Sequence, residues 1–134
     1  VNIISASPPP SGPVKSCLSF AAALNSGQLD IAAACFARDG CLITPDATTI
    51  HGREHIRSVL AQMVVRRTEI EVEMSSTVGG GEVILANQRW RIRSGEQEEC
   101  RLEQVSDAVL ILRRIEGEWK FSIAAPWGCR QSFP

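Results

Sequence analysis

The chain has 134 residues, 44% of them apolar and 22% charged, with a net charge of −1. That length fits one domain whose core needs no disulfide or metal staple. The near-neutral balance supplies no electrostatic footprint for DNA, RNA or an anionic membrane, so neither nucleic acid nor membrane is an expected partner.

Residues 1–13, VNIISASPPPSGP, lack the basic start and long apolar stretch of a signal peptide and read as an extended Pro/Ser-rich arm. The chain opens on Val1 rather than Met, as a trimmed or excised segment would. The five cysteines (Cys17, Cys35, Cys41, Cys100, Cys129) are an odd count and read as small buried hydrophobes in a reducing compartment, so a cytoplasmic location is expected. One domain is expected over residues 14–128, followed by a tail at 129–134.

A helical pattern starts at Val14, with Cys17, Leu18, Ala21, Ala22 and Leu24 at helical spacing, and Asn25-Ser26-Gly27 ends it. Asp30 is placed to cap a second helix, IAAACFA, stopped at Asp39-Gly40. The run CLIT reads as a short strand ended by Pro45 and the turn former Asp46. GREHIRSVLAQMVV is the third helix, with Ile56, Val59, Leu60 and Met63 on one face.

The period then changes from helical to alternating. TEIEVEM sets Ile70, Val72 and Met74 against Glu69, Glu71 and Glu73, and VILANQRWRIR returns after VGGGE. Pairing about Gly80 would oppose Glu71 to Arg89, Glu69 to Arg91, Ile70 to Trp90 and Met74 to Ala86, matching sign on one face and apolarity on the other. SGEQEE is a turn, CRLEQVSDAVLILRR a long strand, IEGE a third turn and WKFSIAAPW the last strand. Three helices before a four-stranded meander make an α+β cone, a curved antiparallel sheet of four to six strands covered by helices on one face. The mouth of such a cone suits a small ligand.

The stretch AALNSGQLDIAAACFARDGCLITPDATTIHGREHI resembles the N-terminal half of the nuclear-transport-factor-2-like, or SnoaL-like, superfamily, and RRIEGEWKFSIAAPWG resembles its closing hairpin. The superfamily includes ketosteroid isomerases, polyketide cyclases, limonene epoxide hydrolases and scytalone dehydratase, so the resemblance covers the fold better than any one reaction. In ketosteroid isomerases the residue before this proline is the aspartate that moves the proton; the resemblance puts Thr44 there. The oxyanion tyrosine falls on Ser19, in a chain with no tyrosine, and the second, protonated aspartate falls near Ser106 or Asp107. A threonine hydroxyl is no base near neutral pH, so ketosteroid isomerase activity itself is not expected.

Asp107 is the candidate acid/base, because a carboxylate in a strand turning apolar can have a raised pKa. Strict alternation, however, puts it with Arg101, Glu103 and Val109 on the face away from Leu102 and Leu110, and only a β-bulge would turn it into the cone. The same parity makes Arg89, Arg91 and Arg93 a surface ladder opposite the glutamates. Cys35, Cys41, His51 and His55 come near a zinc-ligand spacing without matching one, so no metal is expected. Gly79-Gly80-Gly81 is a hairpin turn, with no helix after it to bind phosphate.

Phe36, Met63, Met74, Trp90 and Leu102 are candidates for the cone lining, and Ser19, Thr44, Gln88, Gln104 and Ser106 for its polar positions. The apolar residues are equally consistent with a filled core. On the other face Val83, Leu85, Val105, Val109 and Ile111 form an apolar patch, which predicts a homodimer through the sheets, as the resemblance also implies. Two functions follow. One is a cofactor-free acid/base enzyme, or enzyme-like binder, for a hydrophobic polyketide-, steroid- or terpenoid-like small molecule, with Asp107 catalytic and Thr44 and Ser19 as polar contacts. The other is a non-catalytic homodimerising or ligand-sensing domain.

Overall fold

The structure, a computed structural model, describes residues 12–95 and 101–128, with Met74 and Ser75 by their backbone alone. The expected arm up to residue 11, the turn at 96–100 with Cys100, and the tail with Cys129 lie outside the described residues. In chain order the elements are α1 (Gly12–Asn25), α2 (Leu29–Ala34), β1 (Phe36–Ile43), β2 (Thr49–His51), α3 (Arg53–Val65), β3 (Glu69–Gly80), β4 (Val83–Ser94), β5 (Leu102–Ile115) and β6 (Glu118–Ala125). One six-stranded sheet has the order β2-β1-β6-β5-β4-β3. The expected α+β cone is present, and β3 to β6 form the expected antiparallel meander. A single parallel pairing, β1 with β6, interrupts an otherwise antiparallel sheet.

Alternation along β4 and β5 decides which face the helices cover. Ala86, Gln88, Trp90 and Ile92 of β4 and Ser106, Ala108, Leu110 and Leu112 of β5 are buried, whereas Val83, Asn87, Arg89, Val105 and Asp107 between them are exposed. Cys17, Phe20 and Leu24 of α1 and Ile56 and Leu60 of α3 complete the core. Asn25 ties the end of α1 to β3 by a two-way bond: its Nδ2 donates to the Ile70 carbonyl at 2.8 Å and its Oδ1 accepts from the Ile70 N–H at 2.7 Å. Gly27, at φ 73°, then reverses the chain in a conformation that glycine adopts most easily.

Two expectations are corrected. The second helix stops at Ala34, and Phe36-Ala37-Arg38-Asp39-Gly40 belongs to β1 rather than to a helix and its stop. The Phe121 N–H bonds the Cys35 carbonyl at 2.8 Å, and the Arg53 Nε bonds the Phe36 carbonyl at 3.0 Å, so tertiary partners hold this segment extended. Gly40 is needed for close approach: a Cβ there would lie 3.0 Å from the Ala37 and Phe121 carbonyl oxygens.

The β3–β4 register is also displaced. Ile70 pairs with Ile92, Glu71 with Arg91 and Val72 with Trp90, and the turn falls at Gly81-Glu82 beyond the pair Gly80–Val83. Glu73 is an extra residue, so Met74 pairs with Arg89 rather than with Ala86. From Glu69 to Val72 the displacement is two and keeps side-chain parity, so charge and apolar matching there fit both registers equally; past the extra Glu73 it is three.

Candidate functional site

Four aromatic rings meet in the interior expected to be a hollow. Phe36 and Phe121 meet edge-on with centroids 5.1 Å apart, and Phe20 meets Phe121 at 5.4 Å and Phe36 at 5.7 Å. Phe20 also stacks on Trp90 at 6.2 Å. Phe36, Trp90 and Phe121 are fully buried. Each such pair adds about 0.5–1.5 kcal/mol beyond its area burial, so the cluster favours a closed core.

The two buried polar positions expected in the interior are spent on structure. The Trp90 indole donates to Gln88 Oε1 at 2.6 Å, and the Ser106 hydroxyl donates to the Pro126 carbonyl at 2.6 Å. Gln88 also hydrogen-bonds the thiol of Cys17, whose pKa burial nevertheless pushes up to about 11. Met63 packs half-buried against the core from α3. Leu102, 75% exposed, and Gln104, also exposed, lie at the start of β5, on the same face as the buried Ser106. The Met74 side chain lies outside the described residues.

Thr44 and Ser19 are likewise elsewhere. The Thr44 hydroxyl donates to the Asp46 carboxylate and lies 3.1 Å from the Thr48 carbonyl, and the Thr48 N–H bonds Asp46 at 3.2 Å. Thr44 is therefore the turn former that ends β1, and the hydroxyl beside Asp46 is the largest cause holding that carboxyl below its ordinary pKa. Ser19 is exposed, beside a surface cleft lined also by Gly12, Lys15, Ser16, Cys35 and Trp119.

Asp107 stands on the outer face, its side chain 87% exposed and 3.8 Å from Arg89. Pairing of β4 with β5 runs unbroken from Val83–Arg113 to Ser94–Leu102, so no bulge turns Asp107 inward. This places the expected acid/base away from the helix-covered side. Around it runs a charged ladder: Arg91 bridges Glu73, at 2.7 Å, and Glu103, and Glu69 holds Arg101 at 2.7 Å and Arg93 at 3.5 Å. Val83 and Val105 are half exposed beside it, with Leu85, Val109 and Ile111 partly buried.

Of the cysteines and histidines, Cys41 and His51 meet as cross-strand partners with Sγ 3.2 Å from Nδ1. Cys35 instead donates to the Ile31 carbonyl, and His55 Nδ1 bonds the His51 carbonyl. Among the described residues no three His, Cys, Asp or Glu side chains come together as a metal would require. The signal for the Cys41–His51 pair was the turn itself, since a hairpin closed at Pro45-Asp46 brings these two strand positions opposite each other.

Among the described residues no helix is long and apolar enough to cross a membrane. A SnoaL-like domain matches residues 18–121, so the chain belongs to the SnoaL-like family. Solved structures share the fold at low identity. A provisionally assigned calcium/calmodulin-dependent protein kinase II association domain from Xanthomonas campestris has a TM-score of 0.73 at 14% identity, over 90% of both chains. A provisionally assigned dehydratase of the nuclear-transport-factor-2-like family from Streptomyces avermitilis has a TM-score of 0.74 at 14% identity, over 83% of this chain and 89% of the other. A nuclear-transport-factor-2-like protein with a cystatin-like fold from Novosphingobium aromaticivorans has a TM-score of 0.71 at 13% identity, over 83% and 75%. No curated protein matches the sequence significantly.

Proposed function

We propose that this SnoaL-like domain is a non-catalytic homodimerising module, in which the outer face of β4 and β5 pairs with the same face of a second copy. The observation that carries the reading is the contrast between the two sides of the sheet. The covered side is packed with rings, whereas Val83, Leu85, Val105, Val109 and Ile111 leave apolar surface uncovered on the other.

Magnitudes support a second copy as the occupant. Fully burying such a side chain is worth about 1.5–3 kcal/mol. A two-fold contact would bury ten of them, and at ~1–3 kcal/mol each the gross gain of ~10–30 kcal/mol can exceed the ~4–15 kcal/mol that association costs. The flanking ladder carries both signs, Arg89 and Arg91 beside Glu103 and Asp107, so a self-complementary contact can match its rim charges. In this reading Asp107 is a rim residue rather than an acid/base. A cytoplasmic location fits the free thiols of Cys17, Cys35 and Cys41.

The second reading is cofactor-free acid/base chemistry on a hydrophobic small molecule. Family membership and the dehydratase assignment of one neighbour support it, and the outward placement of Asp107 weighs against it. Light scattering tests the dimer on which the first reading rests. The wild-type chain should have the mass of two copies at micromolar concentration, and Leu85→Asp/Ile111→Asp that of one. A wild-type mass of one copy overturns the dimer.

A further inference from the structure

Cys41 on β1 and His51 on β2 face each other across the sheet edge, and the 3.2 Å between Sγ and Nδ1 is a thiol–imidazole contact. Three observations separate this thiol from the other described cysteines. The Cys17 thiol is buried in the core. Cys35 is committed to the Ile31 carbonyl. Cys41 is partly exposed, and its partner is a base able to take its proton.

His51 also belongs to a shallow cleft lined by Arg38, Gly52, Arg53, Glu54 and His55. Two guanidiniums against one carboxylate give that cleft a net positive charge even with both imidazoles neutral. The Arg53 guanidinium is already bonded to the Phe36 carbonyl, whereas Arg38 is exposed to whatever enters. The imidazole therefore stands between a thiol and a cleft of net positive charge. The strand order puts Cys41 two strands from β5, away from the centre of the apolar patch, so the site does not depend on the proposed dimer.

We propose that Cys41 is a nucleophilic thiol that exchanges with anionic low-molecular-weight disulfides, with His51 as its base and Arg38 as the contact for the incoming carboxylate. The Cys41 S–H proton passes to His51 Nδ1, and the thiolate attacks one sulfur of the disulfide. The S–S bond breaks, a Cys41 mixed disulfide forms, and the released thiolate recovers a proton from the imidazolium. The Cys41 sulfur is oxidised and the leaving sulfur reduced, so the incoming disulfide is the only oxidant needed.

The full chain at neutral pH is exposed to glutathione disulfide, quenched, digested and read peptide by peptide by mass spectrometry, with neutral iodoacetamide as a parallel probe. Cys41 should react at least about tenfold faster than Cys17 or Cys35. His51→Gln should slow Cys41 about tenfold toward both reagents, and Arg38→Ala should slow it toward glutathione disulfide alone, with the melting temperature of both variants at the wild-type value. Modification of Cys35 as fast as Cys41, or a Cys41 rate unchanged in His51→Gln, overturns the nucleophile. Equal slowing of both reagents by Arg38→Ala, or of neither, overturns the carboxylate contact.

Discussion

The Trp90 indole N–H donates to Gln88 Oε1 at 2.6 Å, although the two residues are neighbours on one face of one strand and both are buried. Successive inward positions of a strand rarely pair this way without a reason. Here the reason is that a ring placed at the centre of a closed core must satisfy its single donor locally. The bond fixes the Trp90 ring against Phe20, and the same Gln88 amide reaches the Cys17 thiol on α1. Replacing Gln88 with Leu would leave the indole donor buried without that acceptor, a cost of about 1–3 kcal/mol. Urea denaturation should show that loss, and a midpoint equal to wild type would mean that the indole has found another acceptor.

Cys17 supplies the alkaline limit of stability. Burial favours its protonated form and raises the thiol from 9.0 to about 11. A group raised in the folded state contributes fully below its unfolded value and loses that contribution as pH rises through its folded value. Wild-type stability should therefore fall from pH 9 toward about 11 more steeply than that of Cys17→Ala. Parallel curves for the two proteins, measured by denaturation across that range, would remove the thiol as the cause.

At the acid end Asp46 acts in the opposite sense. Its carboxyl is held below the ordinary range by the Thr44 hydroxyl first, with Thr48 adding to it. The stabilisation is present above the unfolded carboxyl value, about 3.9, and fades as pH falls through the lowered folded one. Thr44→Val should move the Asp46 titration, followed by carboxyl carbon NMR, up toward the ordinary value. An unmoved titration would show that the hydroxyl does not set it.

Asp107→Asn removes a loose, solvent-exposed pair with Arg89. Such pairs are worth about 0–1 kcal/mol, so thermal unfolding should shift by only a few degrees at most. A larger loss would mean that Asp107 is buried in the assembled protein more deeply than a rim position allows.

Much of the fold was readable because parity is a robust signal. The Glu/Arg alternation placed Asp107 with the outward residues, and it stands there. What the pattern could not resolve were choices that leave parity unchanged. The β3–β4 turn moved to Gly81-Glu82 without altering which side Ile70 or Glu71 faces. Phe36 to Gly40 looked helical because the preceding alanines favour a helix, and only Phe121 and Arg53, distant in sequence, hold that segment in the sheet. The candidate ligand residues pose a different problem. Phe36 and Trp90 were correctly expected inside, but a ring lining a cavity and a ring filling it leave the same letter in the sequence. Thr44 was read through its family position, whereas its neighbours Asp46 and Thr48 make it a turn residue.

The most direct test is isotope-filtered NMR on a sample in which half the chains carry ¹³C-labelled methyl groups and half are unlabelled. Intermolecular contacts are expected from the methyls of Val83, Leu85, Val105, Val109 and Ile111, and none from Leu60, Leu110 or Leu112 in the core. Contacts arising instead from α1 or α3, or the complete absence of intermolecular signals, would contradict a module that works through the uncovered face of its sheet.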